Sequence, residues 1–455
     1  MGQALSHTDP GSAHWYDNLT RMHWRTLVGS FLGWIFDGYE AFTIFVALGP
    51  MMHSVLTPQQ AASVHVYAGL VIGITLLGWG IGGMCGGVLA DYIGRKRMMM
   101  WSVFLYAVFS GLTALSNSVE MLLAMRALTG LALGSEWSTG VALVTETWPD
   151  EARAKGLGFL QSGFGWGSLV AAVVWAILSF ANPLGDQTWR LVFVVGAIPA
   201  LFVLYLRRGL DESEAWQNAV RKKRWNPIEN ATGERSGASA ATSAGSRPFT
   251  LKMLFTDHEA MRRMIVAILL SIVTTVGWWA ISSLLHGYTA AIGKAQGVAD
   301  PLTWASRVSI AYTVGAIVAY LLAGFIIDIL GRRLFMSLTF VGSLLVTIAT
   351  YKFTSTVGGM VALAPVNGFF TLGCAYVWMA IYVPEMFTPT VRSSAISVVF
   401  NGARLIAWLF PIIAGFMIKS FGGVANTALA LGSIYALGII LPWFLPETRG
   451  HKLPE

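Results

Sequence analysis

The chain has 455 residues, 55% of them hydrophobic and only 12% charged, with a mean hydropathy of +0.62. Soluble domains carry about 25% charged residues, so this composition excludes a large soluble core and specifies an integral membrane protein. The net charge of +7 does not call for a nucleic-acid partner, because basic loops on one side of a bilayer account for it.

Residues 1–25 are polar and hold no apolar run, so no cleavable signal is expected and the first membrane helix does the targeting. Runs of about 20 apolar residues are long enough to cross the hydrocarbon core as helices. Twelve follow, at about 26–48, 66–90, 97–116, 119–145, 155–181, 188–207, 263–289, 305–329, 333–351, 358–384, 392–418 and 424–445. The expected organisation is a cytoplasmic N-terminal segment over 1–25, a six-helix bundle over 26–207, a cytoplasmic linker over 208–262, a second six-helix bundle over 263–445 and a cytoplasmic tail over 446–455. The linker carries Arg221-Lys222-Lys223-Arg224 and then ERSGASAATSAGSRP, a composition expected to be flexible. Cys85 and Cys374 both lie in apolar runs, so no disulfide framework is expected.

With both termini in the cytoplasm, 23 of the 30 Lys and Arg fall on the inner side and five on the outer side, the asymmetry of the positive-inside rule. The other two, Arg126 and Arg404, lie deep in apolar runs, as do Asp37, Glu40 and Glu136. At about 1.5 Å of rise per residue, all five fall in one slab about 15–21 Å from the inner edge. An ionised acid at mid-bilayer costs about 2.5–3.5 kcal/mol, so each should have a partner or a use. Asp37 and Glu40, three residues apart, share a helix face that must look into the bundle.

The two halves repeat. GVLADYIGRKR (Gly87 to Arg97) returns as GFIIDILGRR (Gly324 to Arg333), with Gly, Asp, Gly and Arg in register. Glu146 and Arg153 in ETWPDEAR return as Glu385 and Arg392 in EMFTPTVR. Such repeats are the signature of many secondary transporters, with the solute site between them near the midplane.

GVLADYIGRKR resembles the loop between helices 2 and 3 of the major facilitator superfamily, G-x-L-A-D-x-x-G-R-K/R. RALTG (Arg126 to Gly130) resembles that family's R-x-x-x-G in helix 4, and ETWPDEAR and PETRG (Pro446 to Gly450) resemble its sugar-porter and organic-acid branches. DGYE resembles the D-G-x-D of the aromatic-acid:proton symporters. WYDNLTRMHWRTLVGSFLGWIFDGYE and SEWSTGVALVTETWP are similar to the sialate and lactate symporters, and NGARLIAWLFP is similar to helix 11 of the acid symporters. Two departures stand out: Glu40 replaces the second Asp of D-G-x-D, and the Gly-Pro pair of drug antiporters is absent from helix 5.

The resemblance implies an all-α membrane fold, twelve transmembrane helices in two pseudo-symmetric six-helix bundles around a central cavity. It implies a multi-pass protein of the bacterial inner membrane, working as a monomer with a proton gradient and no cofactor. Gly87, Asp91, Gly94, Arg95, Lys96, Asp328 and Arg332 carry the signature loop and its second copy, and Asp91, Arg95, Glu146, Arg153, Glu385 and Arg392, at cytoplasmic helix ends, are expected to form a gating latch, a charge network made in the outward-open state and broken in the inward-open one.

Glu40 and Arg126 match in depth, and sugar porters place an acid and a helix 4 arginine in the same relation. Beside Arg126, Glu40 is held ionised; without it, the desolvated acid takes a proton. Glu40 is the expected proton carrier, with Asp37 next and Glu136 in the same set. Arg404 has no acid in its own half. Its planar fork suits a carboxylate, so it either binds the substrate's carboxylate or bridges to Glu136 or Asp37. Gln161, Trp278, Trp279, Asn367, Tyr376 and Trp378 are the expected remainder of the pocket.

The expected function is proton-coupled uptake of a small organic anion, a mono- or aromatic carboxylate. A sugar or polyol symporter and a facilitative uniporter are the alternatives. A membrane enzyme has no support, because no metal-ligand cluster, nucleophile elbow or phosphate loop occurs. GWGIGG (Gly78 to Gly83) fits G-x-G-x-x-G, but it sits inside an apolar run, where glycines allow close helix packing.

Overall fold

The computed structural model describes residues 14–223, 225–228, 248–282, 284–409, 417–418 and 420–454. The Ser/Ala/Gly-rich part of the linker, most of the N-terminal segment and the last part of the eleventh expected span lie outside the described residues.

Each of the twelve apolar runs corresponds to a helical rod. The first six are α1 (Arg21–Val55), α2 (Val64–Ile93), α3 (Arg95–Thr113), α4 (Val119–Leu133 continued by Glu136–Thr147), α5 (Asp150–Ala181) and α6 (Trp189–Val195 continued by Pro199–Gly209). The second six are α7 (His258–Val276 to Leu284–Ala295), α8 (Pro301–Leu330), α9 (Arg332–Ile348), α10 (Val357–Gly368 to Ala375–Glu385), α11 (Arg392–Gly402 and Arg404–Ala407) and α12 (Val424–Gly432 and Tyr435–Ile440). Among the described residues, eight helices are long and apolar enough by themselves to cross a membrane. The rest are interrupted or begin with charge. α3 opens on Arg95-Lys96-Arg97, and α4 breaks at Gly134-Ser135. Pro199 lacks an N–H for the Val195 carbonyl, which instead takes the Ile198 N–H at 3.0 Å, and α6 tightens and breaks there. π-Helical turns interrupt or end α7 (Gly277–Ser282), α9 (Ala349–Phe353) and α10 (Phe369–Cys374); such turns are rare and cluster at functional sites.

The repeat is visible in atomic detail. α2 joins α3 through Gly94 alone, and α8 joins α9 through Gly331 alone. Their φ angles are 102° and 83°, a region that L side chains avoid. Arg153 donates to the carbonyls of Thr145 (3.0 Å) and Trp148 (3.3 Å). Arg392 donates at the same two offsets, to Pro384 and Phe387, both at 3.1 Å.

The start of α1 and the described part of the C-terminal tail both meet the bundle at the end that carries these loops. Trp148 Nε1 donates to the His23 carbonyl at 3.0 Å, and Arg392 Nη2 to that of Pro454 at 3.0 Å. We call it the terminal end. The halves touch through α2 with α11 and α5 with α8. The glycines of GWGIGGMCGG make the first contact possible. Gly78 faces the Ala127 carbonyl of α4, whereas Gly80, Gly83 and Gly87 face Leu405, Asn401 and Ser397 of α11. In the second, Gly158 faces the Tyr320 carbonyl and Gly324 that of Ala154. Small residues at these points let backbones approach without hydrophobic drive between helices.

A β-carbon on Gly87 would overlap the Ser397 side chain and lie 2.9 Å from the Ser393 carbonyl. Gly87→Val therefore pushes α2 off α11. With Cys85 and Cys374 replaced, thiol labelling of a cysteine at Ser394 becomes at least severalfold faster in the Val variant.

Candidate functional site

The terminal end holds a buried charge network. Arg95 pairs with Asp91 at 3.1 Å and with Glu146 at 3.0 Å, and Arg392 reaches the same Glu146 oxygen across the halves at 3.1 Å. Asp91 accepts from Ser394 N (2.9 Å) and Oγ (2.5 Å), and Lys155 pairs with Asp328 at 2.7 Å. Glu385 stays within its half, on Arg332 at 2.7 Å. The expected gating residues are thus brought together, with two refinements. Arg153 pairs with Asp150 and not with Glu146, and Lys96 donates to the Leu210 carbonyl at 2.5 Å, outside the network.

Sequence reasoning missed two members. Glu212 accepts from Arg95 N at 2.9 Å and from Lys96 N, capping α3. Glu447 accepts from Arg332 N at 3.0 Å and Arg333 N at 3.1 Å, capping α9. Anions stabilise helix N-termini. Burial pushes the Glu447 carboxyl up, but the N–H groups of Arg332, Arg333 and Arg449 outweigh it and hold it below the ordinary range. The signal was present in LDES (Leu210 to Ser213) and LPET (Leu445 to Thr448), a further copy of the internal repeat.

Deeper in the N-terminal half, Arg126 Nη1 meets Glu40 Oε1 at 2.7 Å, both side chains buried. Thr113 and Thr129 accept from the rest of the guanidinium, each at 2.9 Å from Nη2, and Ser110 Oγ donates to Glu40 Oε2 at 2.6 Å. Every charged atom of this pair is thus spoken for.

The neighbouring charges are not. Asp37 and Glu136 are fully buried, and neither carboxyl receives a hydrogen bond from an N–H or hydroxyl donor among the described residues. They interact directly with each other. The Glu136 carboxyl packs on Gly33, one turn before Asp37 on α1. Arg404 Nη1 donates to the Phe400 carbonyl at 2.8 Å and to Asn401 Oδ1 at 3.3 Å, while its Nε has no partner. No carboxylate among the described residues forms an ion pair with Arg404. Its guanidinium lies 3.8 Å from the Phe400 ring centroid and 4.8 Å from that of Trp79.

Aromatic rings from both halves surround this point. Trp137 stacks on Phe400 at 3.6 Å. Trp34 contacts Trp79, Trp137, Phe164 and Phe400 within 6.5 Å. Phe164 meets Trp278, which meets Tyr376 at 6.2 Å and Trp279 at 4.4 Å. Gln161 accepts from Trp137 Nε1 at 2.7 Å and, through its carbonyl, from Trp34 Nε1 at 3.2 Å. Tyr376 is buried, its hydroxyl near Thr275 and within electrostatic reach of Arg404.

Of the expected pocket residues, Gln161, Trp278, Trp279 and Tyr376 therefore join the cluster around Arg404. Asn367 is engaged elsewhere, with Thr350 and Thr371 at 3.2 and 2.9 Å. Trp378 is fully buried and donates to Thr274 of α7 at 3.3 Å. Trp34, Trp79, Trp137, Phe164 and Phe400 were missed. Trp34 lies three residues before Asp37 and Trp137 directly after Glu136, but a chain with 18 tryptophans offers many such coincidences.

Residues 26–455 match the family model described as sugar (and other) transporter. A putative metabolite transport protein of Haemophilus influenzae is 27% identical over 94% of this chain and 98% of its own length. A cis,cis-muconate transport protein of Acinetobacter baylyi is 26% identical over 92% of this chain and 94% of its own. The fold is that of the proton:xylose symporter XylE, with a TM-score of 0.73 at 19% identity, covering 95% of this chain and 98% of that one.

Proposed function

The chain belongs to the sugar (and other) transporter family and is a transporter and not an enzyme; from that premise we propose proton-coupled uptake of a small organic anion by alternating access. One observation carries the reading. Arg404 is a buried guanidinium that forms no ion pair among the described residues, with Asp37 acting on it only electrostatically, at the aromatic interface of the two halves. Leaving a charge buried and unpaired is costly, and a substrate carboxylate on its fork removes that cost. The aromatic rings suit an unsaturated or aromatic acid, and a relative named for muconate transport supports that class.

Protons enter through the acids of α1. Glu40, paired with Arg126, is the carrier. Asp37 and Glu136, facing each other with no N–H or hydroxyl donor among the described residues, are the further acids of the proton-coupling set. The terminal end is the cytoplasmic side of a bacterial inner membrane. Its network is closed, so this is a state shut towards the cytoplasm, with the bundles over 26–207 and 263–445 as the moving units of a monomer in lipid.

The test is internal pH in sealed vesicles of purified protein, recorded on adding carboxylates or sugars outside. Acidification with one class of acid, above protein-free vesicles, is the expected result. A response to sugars or polyols alone moves the reading to a sugar symporter and returns Arg404 to a structural role. Entry of labelled acid with no proton movement makes the protein a uniporter.

A further inference from the structure

We infer that Ser110 of α3 is a positioning residue that passes the protonation state of Glu40 to the break in α6. The inference rests on the reading of Glu40 as the proton carrier. Ser110 Oγ is buried between two acceptors, Glu40 Oε2 at 2.6 Å and the Phe193 carbonyl at 3.3 Å. That carbonyl is available because of the break. Its ordinary helical donor would be the Ala197 N–H, which instead bonds Val194 at 3.0 Å, while the Gly196 N–H bonds Val192. A buried carbonyl freed from its ladder needs another donor.

A hydroxyl has one proton to give and two lone pairs to receive. While Glu40 is ionised, Ser110 gives its proton to the carboxylate, the stronger acceptor, and the Phe193 carbonyl is left with the longer contact. When a proton arrives on Glu40 Oε2, that O–H donates to Ser110 Oγ, and Ser110 turns its own proton to Phe193. One proton added at the carboxyl thus becomes one hydrogen bond made at the α6 break. Gly196 is what allows the approach: a β-carbon there would lie 2.5 Å from Ser110 Oγ and 2.7 Å from Glu40 Oε2. Two other groups facing Glu40 also touch α6, but neither contacts the Phe193 carbonyl: Arg126, paired with Glu40 from α4, lies 4.9 Å from the Phe193 ring centroid, and Tyr39 of α1 donates its hydroxyl to Val192 at 2.8 Å. Tyr106 of α3 and Asp37 of α1 act on Glu40 electrostatically.

The experiment compares wild type, Ser110→Ala, Ser110→Cys and Glu40→Gln in vesicles, reading labelled-acid accumulation against external pH together with solute exchange at zero gradient. Ser110→Ala removes a hydrogen bond from both forms of Glu40, and because the bond to the ionised carboxyl is the stronger, its loss favours the protonated form by up to about tenfold in proton affinity. Ser110→Ala is expected to keep exchange and move the pH of half-maximal accumulation up by about one unit. Ser110→Cys, a weak donor, falls between it and wild type. A Ser110→Ala protein with the wild-type pH midpoint overturns the inference, as does a loss of rate with no shift in midpoint. If Ser110→Ala does not fold, the Cys variant decides by the same midpoint. Should Glu40→Gln retain pH-driven accumulation, the proton-carrier reading falls and this inference with it; loss in Glu40→Gln beside an unshifted Ser110→Ala removes only the role of Ser110.

Discussion

Glu40→Gln abolishes pH-driven accumulation of substrate and leaves exchange of solute across the membrane intact. The amide keeps the size of the side chain; its oxygen still accepts from Arg126, and its NH2, in the place of Oε2, donates to Ser110 Oγ, so the contacts at 2.7 and 2.6 Å can persist. What it cannot do is change charge. In the ionised state Arg126 is neutralised by Glu40 and its remaining donors are taken by Thr113 and Thr129. Rearrangement that parts the two leaves a desolvated carboxylate, and a proton is then the least costly companion available. The variant lacks that step, so gradient and substrate are uncoupled. Arg126→Ala is the harsher change. It leaves Glu40 buried without its cation, at a cost of about 3–5 kcal/mol, and loss of stability precedes any reading of coupling. Accumulation that survives in Glu40→Gln refutes the assignment.

The second large effect is at Arg404. Arg404→Ala raises the half-saturation concentration for carboxylates by about 10- to 100-fold, the worth of a charge-assisted hydrogen bond of about 1.5–3 kcal/mol. Arg404→Lys recovers little, because an ammonium lacks the planar fork and does not stack between Trp79 and Phe400 as the guanidinium does. Substrate protection against thermal unfolding disappears in both variants. An unchanged half-saturation for the acid makes Arg404 a structural residue that holds α11 against α2 through the Trp79 ring.

Much of this architecture was legible before any coordinates. Apolar run length gave the rods, and spacing gave the repeat. Constant rise per residue gave depth, which is why Glu40 and Arg126 were matched although 86 residues separate them. Depth is only one coordinate. Which way a side chain points around its helix, and which neighbour that helix faces, depends on packing between rods. Arg404 lies at the depth of Asp37 and Glu136, yet it forms an ion pair with neither, and Asn367 turns into a hydroxyl network of its own. The aromatic wall was hidden for the same reason. Trp79 sits inside the glycine stretch that brings α11 close, and its role follows from that approach and not from its own sequence context. Glu212 and Glu447 were legible in principle, since the LDES and LPET copies obey the same repeat as the loops they cap.

Those two caps bear on the order in which the molecule is made. The N–H of Arg95, beside Gly94, takes its carboxylate from a residue 117 positions later, and that of Arg332, beside Gly331, from one 115 positions later. In each case the accepting carboxylate follows the sixth helix of the same half. During synthesis the second and third rods therefore enter the bilayer with an uncapped turn, and the loop is locked only once the last rod of its bundle has been inserted. Each bundle carries its own completion signal, so the first can mature while the second is still being translated, as domains that fold as units do.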